Sequence, residues 1–241
     1  MTKTIRLTLI NMTDVNTAKT QSRDAAIYGK VFDALLEQKL APGTRLSEDK
    51  LGQVFGVSRT IIRKVLQRLE HEGVVEIHRN RGAIVANTSH DQAKQTFEAR
   101  RTVELAVVQQ ACQHIQPKHI EQLRLITTEE RYARREGDQG RALRLSGEWH
   151  LLLAEFCGNE FLARFSRSLV SRCSLIIAQY EVDTHKLCPQ DEHTDILEAI
   201  IKNDEKTATR LMYDHIQHIE SKVDIRGNKE EPDLAQIFAD G

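Results

Sequence analysis

The stretch from Arg45 to Val85, RLSEDKLGQVFGVSRTIIRKVLQRLEHEGVVEIHRNRGAIV, constrains the fold more than any other part of the chain. Ser47 precedes a run in which Leu51, Val54 and Phe55 recur at helical spacing. A first helix is therefore predicted over Glu48 to Phe55, with the Ser47 hydroxyl capping its orphan N–H groups. Gly56 can take the left-handed conformation that closes a helix. Ser58 is placed to cap a second helix that reaches Glu72, with Ile62, Val65, Leu66 and Leu69 on one face and Arg59, Arg63 and Lys64 elsewhere. Gly73 ends it. Val74, Val75 and Ile77 then alternate loosely with polar residues, as a strand does. Arg79, Asn80, Arg81 and Gly82 read as a turn, and Ala83 to Ala86 as the return strand. Two short helices, a tight turn and a basic hairpin in this order make a winged helix-turn-helix. The first turn of such a second helix enters the major groove, where Arg meets guanine O6 and N7 as a fork. A basic hairpin tip beside it suits a phosphate or minor-groove contact. Each arginine alone is an ordinary solvated cation; the succession of parts is what points to duplex DNA.

Charge supports that division of labour. Of the 241 residues, 1–88 hold 14 Lys and Arg against 9 Asp and Glu, a balance of +5; 89–241 hold 20 against 26, a balance of −6. Only the first part suits a polyanion. Hydrophobic content of 40% allows a real core, and the 12 Gly and 4 Pro are few enough to favour helices over a sheet-rich fold. No apolar run spans a membrane, and the first residues lack an apolar signal core, so a cytoplasmic protein is expected. Cys112, Cys157, Cys173 and Cys188 are scattered without a CxxC pair and read as reduced thiols filling the core.

The expected organisation is a flexible arm over 1–22, the DNA-reading module over 23–88, a helical bundle over 89–225 and a flexible tail over 226–241. Within the module, Asp24 to Leu40 reads as an amphipathic helix with Ile27, Val31, Leu35 and Leu36 inward, broken by Ala41-Pro42-Gly43-Thr44. From His90 onward only helices are predicted: His90–Ile115, Pro117–Glu136, Gln139–Cys157, Glu160–Val182, Pro189–Lys202 and Asp204–Val223. The fold class is thus mainly α, a winged helix-turn-helix with a small β-hairpin wing followed by a six-helix bundle.

Three histidines, His150, His193 and His215, fall on three different predicted helices. Side chains from separate helices of a bundle can converge on one interior point, and three imidazoles leave a coordination position open. Equally, ten histidines in such a chain require no metal. There is no HExxH, no nucleophile elbow and no glycine-rich phosphate loop, so no enzyme is expected.

The first segment resembles the GntR family of bacterial transcription regulators. The matching residues are Arg45-Leu46-Ser47-Glu48, Gly56-Val57-Ser58-Arg59-Thr60, Arg63, Leu66, Leu69-Glu70, Glu72-Gly73 and Asn80-Arg81-Gly82. Ile61 stands where the family usually has Pro, and Lys64 and Val65 where it has Glu and Ala. The resemblance implies DNA contacts from Arg59, Thr60 and Arg63, with Arg81 and Gly82 at the wing; Arg45 and Lys64 are basic neighbours counted with them. Residues 90–220 resemble the FCD domain, the effector-binding module of the FadR subfamily. The match runs through Arg100 and Glu104, Trp149-His150, Gly158-Asn159-Glu160-Phe161-Leu162, Glu192 to Ile200, and Met212 to Ile216. This implies a divalent metal held by one Asp and three His, the latter being His150, His193 and His215. The aspartate is missing, because its position, one turn before His150, is Ser146. Glu148, only two residues from His150, points to a different face. Three readings follow. In the first, a three-His site binds Zn or Ni, with water or effector completing the shell; in the second, Ser146 contacts the effector; in the third, the histidines bind an anion in a metal-free protein. Arg100 either forks onto an effector carboxylate or pairs with Glu104 one turn on. His114 and His218 read as ordinary, and Trp149 as core. The resemblance also implies a homodimer on a palindromic operator, a small organic acid as effector, and repression rather than activation.

Overall fold

The computed structural model describes residues 23–78, 82–180 and 192–223. The expected arm over 1–22, Arg79 to Arg81 at the wing tip, Cys188 and the expected tail over 226–241 lie outside the described residues.

The chain begins with α1 (Arg23–Leu36), β1 (Arg45–Leu46), α2 (Glu48–Phe55), α3 (Arg59–His71), β2 (Val75–His78) and β3 (Gly82–Val85). Helix α1 stops four residues before the predicted Leu40, because Gln38 turns the chain at φ 58. Helix α2 is capped as expected: Ser47 accepts from the Lys50 N–H at 3.4 Å, and Gly56 closes it at φ 62. Two details differ. Ser58 has the extended backbone of an N-cap, but its hydroxyl makes no cap hydrogen bond. Val54 is 75% exposed, since this two-turn helix presents only Leu51 and Phe55 toward the core. The sheet is three-stranded and antiparallel, in the order β1-β3-β2; Arg45 lies opposite Ile84, and Val75 opposite Val85.

The bundle consists of α4 (His90–His114), α5 (Pro117–Arg135), α6 (Gln139–Phe156), α7 (Glu160–Tyr180), α8 (Glu192–Ile201) and α9 (Glu205–Ser221). Its boundaries follow local chemistry. Ser89 and Gln92 form a reciprocal capping box at the start of α4. Pro117 occupies the first turn of α5, where its missing N–H costs nothing. Asp138, Asn159 and Asp204 accept from the first turns of α6, α7 and α9. Gly137 and Gly158 leave helices at φ 76 and φ 82.

Two apolar clusters form. One fills the bundle around Phe97, Val107, Leu123, Trp149, Leu153, Ile176, Ile196 and Met212. The other joins Ile27, Val31, Leu35, Ile62, Leu66 and Leu69 of the DNA-reading part to Leu151 of α6 and to Val170 and Leu175 of α7. The second cluster therefore seats α1 directly on α6 and α7 of the bundle, with α3 packed against α1. Arg144 of α6 adds ion pairs across this boundary to Glu37, at 3.1 Å, and within its own helix to Glu148, at 2.8 Å. No helix among the described residues is long and apolar enough to cross a membrane.

Candidate nucleic-acid interface and metal centre

Helix α3 buries Ile62, Val65, Leu66 and Leu69 and leaves Arg59, Thr60, Arg63 and Lys64 exposed on the opposite side. Arg45 is exposed on β1, and Gly82 is exposed at the start of β3 with φ 81, a conformation suited to glycine. The first turn of α3 and the sheet thus present their basic residues to solvent. Arg81 lies outside the described residues. The two arginines of α3 are partnered: Arg59 pairs with Asp49, and Arg63 forks onto both oxygens of Glu48 at 3.0 and 2.8 Å. These carboxylates come from the first turn of α2, so the preceding helix holds both side chains in place.

In the bundle, α6 supplies His150, α8 His193 and α9 His215, each no more than 3% exposed. They converge. His150 Nε2 lies 3.1 Å from His215 Nε2 and 3.3 Å from His193 Nε2, and ligand atoms of all three stand within 4.8 Å of one another. Each outer nitrogen faces a carboxylate. His150 Nδ1 is 2.6 Å from Glu104, His193 Nδ1 2.8 Å from Glu130, and His215 Nδ1 2.7 Å from Glu192. A carboxylate oxygen accepts, so each Nδ1 carries the proton and donates it. The three Nε2 lone pairs are then left aimed at one another.

Each carboxylate serves a second donor. Glu104 accepts from Arg100 Nε at 2.7 Å, Glu130 from Arg134, and Glu192 from His218 at 2.8 Å. Burial would raise the Glu104 carboxyl, but the facing His150 and Arg100 outweigh it and hold it well below the usual carboxylate range. Glu130 is lowered in the same way against its burial by His193 and Arg134, and Glu192 to about 2 by His215 and His218. Burial pushes His150 down to about 3 and His215 to about 4, with Glu104 and Glu192 only partly opposing it. Both are neutral imidazoles at neutral pH.

Three lone pairs packed together in a dry interior repel unless a cation sits among them. Nitrogens about 2.0–2.1 Å from a tetrahedral zinc stand about 3.3–3.4 Å apart, close to the two separations from His150, 3.1 and 3.3 Å. Nδ1 bound to carboxylate is also the outer-shell pattern of metal-ligating histidine. The donor set fits a divalent ion with imidazole affinity.

Ser146 lies one turn before His150 and lines a cleft of about 30 Å³ with Arg134, Gln139, Ala142, Leu143, Ile177 and Ile219. That is room for a water molecule or the polar end of a small ligand. Arg100 is not among these residues. It is 3% exposed and committed to Glu104, the second of its two expected arrangements. Trp149 is fully buried and stacks on His193 with ring centres 4.4 Å apart, while Glu148 turns away to Arg144. Cys112, Cys157 and Cys173 are buried free thiols. Sequence reasoning did not find Glu130 and Glu192. Their signal was available for Glu130, a carboxylate on the inward face of α5 among Leu123, Ile126 and Ala133 that must have a partner.

A winged helix-turn-helix seated on a six-helix bundle defines a DNA-binding regulator with a second, helical domain. Residues 24–85 match the gntR family of bacterial regulatory proteins and residues 95–218 match the FCD domain, and the chain belongs to this family of transcription regulators, which are not enzymes. It is 26% identical over 207 residues, 85% of this chain and 90% of the relative, to the HTH-type transcriptional repressor RspR of Escherichia coli K12. It is 27% identical over 224 residues to the Uxu operon regulator of Haemophilus influenzae, covering 82% of each chain. It is 29% identical over 189 residues, 76% of this chain and 87% of the relative, to the Nta operon transcriptional regulator of Aminobacter aminovorans. The fold matches that of E. coli McbR/YncC with a TM-score of 0.74 at 18% identity, over 83% of this chain and 96% of that one.

Proposed function

We propose that this regulator is a repressor whose operator affinity is set by a small carboxylate metabolite bound in the bundle beside a divalent metal ion. The observation that carries the reading is the convergence of three Nε2 atoms whose Nδ1 partners are all carboxylates. His150, His193 and His215 hold the ion; zinc suits three imidazoles, and nickel is the alternative. The bound ion supplies a positive site for an acid's oxygen. The acid places its polar end in the cleft lined by Ser146 and Arg134. Arg100 takes no direct part and instead fixes Glu104 against His150.

At the other end, Arg59, Thr60, Arg63 and Lys64 read the major groove, while Arg45, Arg81 and Gly82 contact the backbone beside it. Two copies of the chain, in the cytoplasm, read the two halves of a palindrome. The effector acts only through its differential affinity for the DNA-binding and released arrangements. An elemental and mass-spectrometric inventory of what co-purifies tests the proposal directly: zinc or nickel at one ion per chain together with an organic acid supports it, and a metal-free chain refutes it. Titrating metal against operator affinity with and without candidate acids then decides the signal. Release that requires the acid supports this reading, whereas release by the ion alone makes the protein a metal sensor.

A further inference from the structure

We infer that α7 is the element through which the histidine cluster acts on the recognition helix α3, with Ser168 and Arg172 as its positioning residues. The inference rests on reading the cluster as a metal centre. Helix α7 has two working faces. On the inner one, Cys173, Ile176 and Ile177 belong to the bundle core, and the Cys173 thiol faces the guanidinium of Arg100. Arg100 bonds Glu104, and Glu104 bonds His150. A shift of His150 on taking up an ion therefore reaches α7 through two buried residues, Glu104 and Arg100. Interiors packed at this density pass displacement on rather than absorbing it.

On the outer face, Val170 and Leu175 sit in the same apolar cluster as Ile27, Leu66 and Leu69. The Ser168 hydroxyl donates to the carbonyl of Glu72, the residue that ends α3, at 2.9 Å. Arg172 lies over the next residue, Gly73, so closely that a Cβ there would stand 1.7 Å from its Nη2. Gly73 has φ 73, and a cation at a helix C-terminus is electrostatically favourable. Arg172 Nε also reaches Ser168 Oγ at 3.4 Å, linking the two groups. Two turns on, Gln179 bonds both the N–H and the carbonyl of Thr88, at 3.0 and 3.1 Å, and Tyr180 donates to the same carbonyl. One helix thus grips the end of the recognition helix and the segment leading into α4.

The test uses the full-length chain stripped with chelator and reloaded with zinc chloride. Uptake is read by elemental analysis, and amide hydrogen exchange is read in peptides covering residues 69–75 and 86–89. Zinc is expected to slow exchange in both peptides by roughly fivefold or more, the low end of a coupling between two sites. In the Ser168→Ala/Arg172→Ala variant, zinc uptake should be unchanged and slowing around Glu130 and His193 preserved. The response of 69–75 should be lost. Arg172→Lys, which keeps the cation, should restore part of it. If the double variant does not fold by circular dichroism, Arg172→Ala alone carries the test, since that side chain is exposed. A wild-type response at 69–75 in the variant overturns the inference, as does zinc uptake by the unaltered chain with no change there. Failure to take up zinc at all is a separate result, which overturns the metal reading and this inference with it.

Discussion

Glu130→Gln isolates what the carboxylates behind the histidines contribute. Glu130 is 3% exposed and shared between His193 Nδ1, at 2.8 Å, and Arg134. Glutamine preserves the shape and an oxygen that accepts from His193, so the imidazole stays oriented while the negative charge behind it disappears. The imidazole then becomes a poorer donor to a cation. Loss of such an outer partner costs about 10–100-fold in metal affinity, or about 1.4–2.7 kcal/mol. Folding should suffer less. The Arg134 side chain is 25% exposed and can turn to water, leaving a net loss of about 1 kcal/mol for the charge-assisted bond. The assay is competition for zinc against a chromophoric chelator, with thermal unfolding of the chelator-stripped protein alongside. Glu129→Gln is the control, because Glu129 binds Arg141 on the outer face of the same helix and touches no histidine. Zinc affinity of Glu130→Gln within about twofold of wild type would refute the argument, since the outer shell would then be orienting the ring without tuning it.

Other consequences follow from single residues. Arg59→Ala should abolish specific operator binding in a fluorescence-anisotropy titration while changing stability by less than about 0.5 kcal/mol, because the side chain is 67% exposed; retained specificity would remove it from the interface. His193→Ala should lower bound metal by elemental analysis and alter the emission of Trp149, the single tryptophan, which stacks on that ring; unchanged stoichiometry would remove His193 from the site. Asp33→Asn should raise the thermal midpoint at neutral pH. Burial holds the Asp33 carboxyl above its ordinary value, with Arg144 only partly opposing and Glu37 adding to it. The folded chain therefore keeps that proton to a higher pH than the unfolded chain does. Ionisation costs stability as pH rises through the interval, and the cost persists above it. The gain from Asn should shrink as pH falls toward 3.8, the ordinary value; a gain independent of pH would contradict the assignment.

The helices were legible because their ends are chemical. Ser47, Ser89, Pro117, Asp138, Gly137, Gly158 and Asp204 mark boundaries that local hydrogen bonding enforces. Strand β1 was not legible. Two residues carry no periodicity, and Arg45 and Leu46 are extended only because β3 is there to pair with them. Val54 fits the helical repeat of α2 yet faces solvent, since periodicity shows which residues share a face but not how wide the buried strip is. The three histidines were found as ligand types on separate helices; their convergence needed the helix packing, which spacing does not encode. The partners of Arg59 and Arg63 escaped notice because Asp49 and Glu48 are ordinary first-turn acids of α2 until the turn at Gly56 brings the two helices together.

If the histidine cluster holds a metal as proposed, Ser146 is where the charge of the site is decided. Glu104 and Glu130 are already balanced by Arg100 and Arg134, so they offer little net negative charge to an ion. A divalent ion on neutral His150 and His215, with His193 beside them, leaves a buried positive charge that the interior strongly disfavours. An aspartate at position 146 would cancel half of it. With serine there, an anionic ligand has to supply the charge, so metal and acid should bind cooperatively. Ser146→Asp is expected to raise zinc affinity when no acid is present and to reduce the further gain produced by a bound carboxylate. The check is zinc competition measured in the presence and absence of the co-purifying acid. Coupling is reciprocal, so the ratio of the acid's affinities for zinc-loaded and zinc-free protein should be smaller in the variant by the same factor as the lost gain. Equal enhancement by the acid in wild type and variant would show that the fourth position is not where the acid binds, and would move the effector elsewhere in the cleft.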